Sequence, residues 1–400
     1  MKELLQIEVE HPARLMEFSE LTKGLFAEVD NGNISVSYHP EFLHLALFKY
    51  SQDCVTEKNW NEFTLMARGL ILDLKNKVVV GIPFLKFFNK GEIEGTDDHL
   101  EIDEYSTITE KMDGSLVILF FFEDKFRFAT AGSFASDQAK WSDKWAEQNM
   151  PLNKIDKTNT YLFEVVYPEN KIVVNYDFSG LVLLSIFNSY GVEYTYEQIL
   201  QEASYMDVRC VPQHTFKDMN SILDNAKTLD ANAEGYVIRF KNGTRLKIKG
   251  DTYLRIHRAM SKVTPLAIWE AMINDDLIEL EISLPEEIQK DFDTIVNILE
   301  SKLKSFIEEV EILYQKSLAF DENKDLALYM KEHPDTFKSE KFKNASNYIF
   351  LMRNGKFYSS LRDSGSYVRR RMFSAFKPQS NYLEDYKPSL FASMFTNNNN

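Results

Sequence analysis

The hydrophobic period of this 400-residue chain changes near residue 262, and that change limits the folds open to it. Up to about residue 250 the apolar residues fall in short runs bounded by turn signals. Ile34 to Tyr38 alternates as a half-buried strand after Asn31-Gly32. Ala67 to Asp73 is entered through glycine, and Val78 to Ile82 returns after Asn76. Further strand-like runs are Ile108 to Glu110, Leu116 to Phe122, Phe126 to Thr130, Tyr161 to Tyr167, Lys171 to Asn175 and Leu181 to Phe187. Gly235 to Phe240 and Arg245 to Lys249 are joined at Asn242-Gly243 as a hairpin. Helices are expected at Ser136 to Gln148, which carries Trp141 and Trp145, at Tyr196 to Ala203 and at Met219 to Ala226.

Beyond residue 262 the spacing is helical. Thr264-Pro265 caps a helix, and Ser283 with Glu286 reads as a capping box. Ile288, Phe292, Ile295, Val296, Leu299, Leu303, Phe306, Ile307, Val310 and Leu313 then recur at steps of three and four, the stripe of a long amphipathic helix. The chain is therefore read as α+β. Residues 1–260 form a domain of mainly antiparallel sheets with flanking helices, including an N-terminal segment. Residues 261–400 form an all-helical domain with a polar tail, Asn397 to Asn400.

With 44% apolar and 27% charged residues, the composition is that of an ordered, soluble protein. No window approaches the roughly 20 apolar residues of a membrane span, and the N-terminus lacks a signal-peptide core. Cys54 and Cys210 are far apart with no CxxC, so neither a disulfide framework nor a zinc site is indicated, and a reducing, cytoplasmic setting fits. A net charge of −15 excludes a surface coated with nonspecific nucleic-acid contacts but leaves room for a local basic groove.

Lys111-Met112-Asp113-Gly114-Ser115 precedes the longest apolar run. By itself Asp-Gly is a common turn signal. Other charges are harder to accommodate. Glu164 lies within LFEVVY, and Glu234 immediately precedes GYVIRF, where an unpaired buried carboxylate is costly. Lys247 and Lys249 share one face of a strand, where like charges repel unless an anion lies over them or the face is solvent. A lysine on a turn, further cations and carboxylates able to hold a divalent metal together suit covalent nucleotidyl transfer. There is no GxxxxGK[ST] and no GxGxxG before a helix, so a P-loop ATPase or dinucleotide enzyme is not supported.

The ordered set KMDGS (111–115), FEVVYPENKIVVNY (163–176), EGYVIRF (234–240) and LKIK (246–249) resembles the nucleotidyltransferase motifs of covalent lysyl-AMP ligases. It is most similar to the RNA ligase 1 family of T-even bacteriophages. ARGLILD with Arg68, LKFFN with Lys86, the run from Gly132 and Tyr253 extend the resemblance over roughly residues 45–255. The resemblance implies that residues 1–260 are an adenylyltransferase domain and that the protein is an ATP-dependent RNA ligase. Lys111 would carry AMP. Asp113 and Gly114 would shape the turn and contact the nucleotide. Tyr50, Arg68, Lys86 and Phe88 would contact ATP. Glu164 would meet the ribose or metal waters, Glu234 would hold Mg²⁺ or Mn²⁺, and Asp113 is a third candidate metal ligand. Lys247 and Lys249 would grip the α-phosphate, with Tyr253 supporting that end. The implied partners are RNA 5′-phosphate and 3′-hydroxyl ends, as in a broken tRNA loop, with an end-healing kinase-phosphatase acting upstream of a monomeric ligase. The alternatives are a nick-sealing ligase of the same superfamily and an RNA-binding relative without catalysis. One departure stands out. The phage family carries a lysine where this chain has Ala131, which leaves one triphosphate contact open to another cation, and Arg127 is a candidate. In the last third, Arg353, Lys356, Arg362, Arg369, Arg370, Arg371 and Lys377 alternate with Phe357, Tyr358, Tyr367 and Phe373. That pattern suits RNA or a solvated helix face over an aromatic stripe. Asp275 and Asp276 read as a charged helix end.

Overall fold

The computed structural model describes residues 10–93, 97, 100–260, 262–284, 286–379 and 383. The expected tail at Asn397 to Asn400 and the start of the N-terminal segment lie outside them, as does the Glu286 side chain of the expected capping box. Two compact units divide between Leu254 and Arg255, slightly before the boundary expected at residue 260.

The first unit contains fourteen strands among the described residues: β1 Ile34–Tyr38, β2 Leu45–Tyr50, β3 Arg68–Asp73, β4 Val78–Gly81, β5 Phe88–Asn89, β6 Thr107–Glu110 and β7 Ser115–Phe122 open the series. They are followed by β8 Lys125–Thr130, β9 Thr160–Val166, β10 Gly180–Phe187, β11 Arg209–Cys210, β12 Gln213–His214, β13 Gly235–Arg239 and β14 Arg245–Lys249. Three sheets result, in orders β1-β2-β3-β4, β11-β10-β9-β7-β8 and β12-β6-β13-β14-β5. Pairing is antiparallel except at β10–β11 and β14–β5.

Strand β7 explains why Leu116 to Phe122 is apolar without alternation: both of its faces are buried. Ile118, Phe120 and Phe122 join the core shared with the first sheet, while Val117 and Leu119 join Tyr161, Phe163 and the helix Asp137–Asn149. Ser136 caps that helix by accepting from Ala139 N.

The expected strand at Lys171 to Asn175 does not form. Val173 and Val174 are buried, but their amides donate to Asp113 Oδ2, at 2.7 and 2.8 Å, rather than to a neighbouring strand. The apolar pattern was right about burial. A side-chain carboxylate won the backbone donors, which satisfies them as well as a ladder would.

The second unit is helical among its described residues. Its longest helix, Glu286–Ser317, buries Ile288, Phe292, Ile295, Leu299, Phe306, Val310 and Leu313. Thr264 caps the helix Pro265–Asn274 as expected, accepting from Ala267 N. Two of the arginines read as candidate RNA contacts have structural duties. Arg353 donates to the carbonyls of Ser317, Phe320 and Asp321, closing the end of the long helix. Arg369, 6% exposed, pairs with Asp275 and donates to Met272 O. Asp275 is thereby engaged by a guanidinium.

Gly235 tests this framework. Its φ is +141°, and an added Cβ would sit 2.0 Å from Ile248 O, a backbone atom. Gly235→Ala is expected to cost about 2–4 kcal/mol from strain and clash, read as a fall in the denaturation midpoint. An unchanged midpoint would contradict this backbone path.

Candidate active site

Lys111 follows β6 and Glu234 precedes β13, and the order β6-β13-β14 decides their meeting. Lys111 N donates to Gly235 O at 2.8 Å, which extends the β6–β13 ladder by one step. Across the other edge, Gly235 pairs with Lys249. Glu234 therefore emerges between two lysines. Its Oε2 lies 2.6 Å from Lys111 Nζ and its Oε1 2.9 Å from Lys249 Nζ, with the carboxylate side chain only 2% exposed. A buried carboxylate is tolerated when paired and bonded in this way. Two of the three expected catalytic lysines, Lys111 and Lys249, are held by one acid.

The turn behind Lys111 is built by Asp113. Besides the two valine amides, it accepts from the Tyr253 hydroxyl at 2.8 Å through Oδ1, and its own N–H donates to Tyr176 Oη at 2.8 Å. Burial raises its pKa, and the nearby Glu234 adds to the rise, against those hydrogen bonds. Both oxygens of Asp113 thus serve the protein scaffold. Gly114 is required for a steric reason: an added Cβ would meet Val165 O at 2.5 Å and Glu164 Cγ at 3.1 Å. Asn170 secures the next residue, accepting from Ser115 Oγ at 3.0 Å and donating to Val165 O at 2.8 Å. Tyr176 and Asn170 were not singled out from the sequence, although both stand in the 163–176 motif. Only the folded turn reveals what they bond.

Lys111, Glu164, Arg68, Lys247, Gly114 and Phe87 line one cavity of ≈ 430 Å³. Glu164 pairs opposite Leu116 on β7, which sets it beside the Lys111 turn. Its pKa is pushed up to about 8, by burial first, with the Lys111 and Arg68 charges opposing. Lys247 is pushed down to about 6 by burial, then by the charges of Arg68, Lys86, Lys111 and Lys249. As expected, Lys247 and Lys249 share a half-buried face while Leu246 and Ile248 are buried. Lys247 Nζ and Arg68 Cζ lie 4.8 and 5.0 Å from the centre of the Phe87 ring. Lys249 lies 5.1 Å from that of Tyr253.

The remaining expected nucleotide contacts form a second group. Short parallel pairing sets Phe88 against Leu246 and Asn89 against Lys247, which brings the Lys86 segment alongside β14. Lys86 Nζ faces three rings, Phe88 at 4.6 Å, Trp60 at 5.2 Å and Tyr50 at 5.8 Å. Trp60 was not anticipated; it lies outside every motif. Phe88, an expected ATP contact, packs on Trp60 at 5.3 Å between ring centres, whereas its neighbour Phe87 lines the cavity. Arg127, the candidate substitute for the lysine absent at 131, is occupied elsewhere. Its Nε donates to Phe122 O at 3.2 Å and its guanidinium lies 4.8 Å from the Phe42 ring centre.

No group of three His, Cys, Asp or Glu side chains converges as a metal site among the described residues. Glu164 is a carboxylate whose chemistry fits a cation: it lines the cavity beside Lys111, and burial has raised its pKa more than the Lys111 and Arg68 charges lower it. Glu234 shares the Lys111 end. One or two carboxylates, completed by substrate phosphates and water, suffice for Mg²⁺.

Residues 66–253 match the model of the RNA ligase family. A protein of Autographa californica nuclear polyhedrosis virus, named as a bifunctional polynucleotide kinase/RNA ligase, is 28% identical over 295 residues, 64% of this chain and 42% of the relative. A Thermovibrio ammonificans protein named as an RNA ligase is 26% identical over 48% of this chain and 53% of its own length. The RNA ligase of Rhodothermus phage RM378 is 22% identical over 66% and 77% of the two chains. This chain therefore spans about half the length of the first two relatives. Among solved structures, an archaeal ATP-dependent RNA ligase aligns with 86% of this chain and 100% of its own, at 11% identity and a TM-score of 0.46. A Naegleria gruberi RNA ligase aligns with 38% and 51% at 16% identity and a TM-score of 0.30.

The Lys247 environment gives a test that needs no ligand. Its folded pKa lies below the unfolded value, so between about pH 6 and 10.5 the unfolded chain binds the extra proton and stability rises with pH. The cost of this lysine is complete below about pH 6. Lys247→Met is expected to raise the melting temperature, most at pH 6 and progressively less towards pH 10. A difference independent of pH would contradict the burial of this amine.

Proposed function

We propose that the protein is an ATP-dependent RNA ligase acting through Lys111, a reading supported by the match of residues 66–253 to the RNA ligase family model. The carrying observation is the sharing of Glu234 by Lys111 and Lys249 at 2.6 and 2.9 Å. A turn amine, a buried acid and a second lysine stand together beside a cavity that also meets Lys247 and Arg68.

In the first step the Lys111 ammonium loses its proton to water, and the free amine attacks the α-phosphate of ATP. Its nitrogen–phosphorus bond forms, the bond from that phosphorus to the bridging oxygen breaks, and pyrophosphate leaves. Lys247 and Lys249 offset the negative charge gathered on the phosphoryl oxygens. Glu234 holds the Lys111 amine at a fixed position beforehand, so little orientation is lost on reaction. Lys111 then passes AMP to an RNA 5′-phosphate, and a 3′-hydroxyl displaces AMP to join the ends. Of the three carboxylates expected to hold metal, Asp113 is used by the turn. We assign a divalent cation to Glu164, where it would neutralise charge on the triphosphate; both oxygens of Glu234 are held by Lys111 and Lys249.

The substrate class proposed is an RNA loop or single strand with a 5′-phosphate and 3′-hydroxyl, as in a broken tRNA. The viral relative's printed name joins a polynucleotide kinase to a ligase, which supports an end-healing enzyme as partner. We further propose a monomeric protein working in the cytoplasm. No helix of the described residues is long and apolar enough to cross a membrane.

The test is the joining reaction. Purified protein with ATP and Mg²⁺ should circularise 5′-phosphorylated single-stranded RNA, in preference to sealing a nicked duplex, and Lys111→Ala should reduce joining by about 10³-fold or more. Preference for the nicked duplex would move the protein to the nick-sealing class. Full joining by the variant would end the proposal.

A further inference from the structure

Lys49 belongs to none of the motifs described above. It lies near the end of β2, and its partner across the sheet is Arg68, the first residue of β3. The register shifts between Phe48 and Lys49, so Arg68 and Gly69 of β3 together face Lys49 at a bulge. The Lys49 side chain then runs along Gly132: a Cβ added to Gly132 would come within 3.0 Å of Lys49 Cδ and 3.2 Å of its Nζ. The same turn packs on Gly69, where an added Cβ would meet Ala131 Cα at 2.9 Å. Lys49, Arg68 and the Ala131-Gly132 turn therefore meet in one place.

The charges there are not balanced. Lys86 has Glu92 at 4.0 Å, and Lys111 and Lys249 share Glu234. Among the described residues no carboxylate lies within ion-pair distance of Lys49, Arg68 or Lys247. Arg68 Nη1 is also buried without a hydrogen-bond partner. Arg68 faces the cavity that holds Lys111 and Lys247, so the cations form a row from Lys111 past Arg68 to Lys49. Beyond the paired Lys111, Arg68 and Lys49 have no carboxylate partner, and Arg68 has a buried unfilled donor, an arrangement suited to a polyanion.

We propose that Lys49 binds the pyrophosphate half of ATP beyond Arg68, and that it supplies from β2 the positive charge that the resembled phage ligases carry at position 131. This rests on the ligase reading above. The bond made is Lys111 Nζ to the α-phosphorus. The bond broken joins that phosphorus to the bridging oxygen, whose electron pair leaves with pyrophosphate. Lys49 offsets charge on that leaving group.

The steps of ligation separate this role from a structural one, because sealing of a pre-adenylylated RNA end involves no pyrophosphate. With full-length protein, Mg²⁺ and α-labelled ATP, Lys49→Ala should raise the ATP concentration for half-maximal Lys111 labelling by about 10-fold or more, the worth of a charged hydrogen bond. Lys49→Arg should retain most of the wild-type behaviour. Joining of a pre-adenylylated 5′ RNA end should stay within about two-fold of wild type, a margin inside which mutant kinetics imply no lost interaction. Unchanged ATP dependence in Lys49→Ala would overturn the assignment, as would equal losses in both reactions. If the wild-type protein takes no label at all, the ligase reading fails and this assignment with it. Label in wild type and Lys49→Ala alike would remove the assignment alone.

Discussion

The buried bridge from Lys111 through Glu234 to Lys249 is the interaction on which the rest of the site depends. A carboxylate that is 2% exposed is stable only because cations reach it from both neighbouring strands. Removing it would leave two half-buried ammonium groups facing each other, a loss of about 3–5 kcal/mol for a buried pair. The sheet order β6-β13-β14 is what makes the bridge available. Gly235, which approaches Ile248 O too closely for any side chain, makes that order close enough. The same bridge fixes the amine, and an amine fixed beside a basic cavity is the starting condition for covalent nucleotidyl transfer.

Asp113 works on the opposite principle. It carries no catalytic charge to the cavity; it gathers Val173 N, Val174 N and the Tyr253 hydroxyl. The turn before β7, the irregular segment after β9 and the helix residue Tyr253 are thus tied by one carboxylate. Its place in the motif is explained by this clasp, and Gly114 beside it by the approach of Val165 O.

Much of this was legible in the sequence. The α+β class followed from the change of period, and β7 was marked by its unbroken apolar run. Glu164, Glu234, Lys247 and Lys249 were conspicuous because charges inside apolar strands require partners. What stayed hidden depends on contacts between distant segments. Lys171 to Asn175 looked like a strand because burial and strand pairing give the same apolar signature. Trp60 reaches Lys86 only after chain folding. Arg353 and Arg369 suited either RNA contact or a solvated helix face, since an arginine that closes a helix end and one exposed to solvent are the same letter. Lys49 was hidden for a similar reason: the substitution at Ala131 is visible in the sequence, but the amine lying along Gly132 comes from another strand.

The central claim is that Lys111, not a neighbouring lysine, carries the nucleotide. Its most direct measurement is peptide mapping by mass spectrometry after incubation with ATP and Mg²⁺ and denaturation. The account predicts an AMP adduct on the peptide containing Lys111, with fragmentation placing it on that side chain. An adduct on Lys49, Lys247 or Lys249 instead, with Lys111 unmodified, would contradict it.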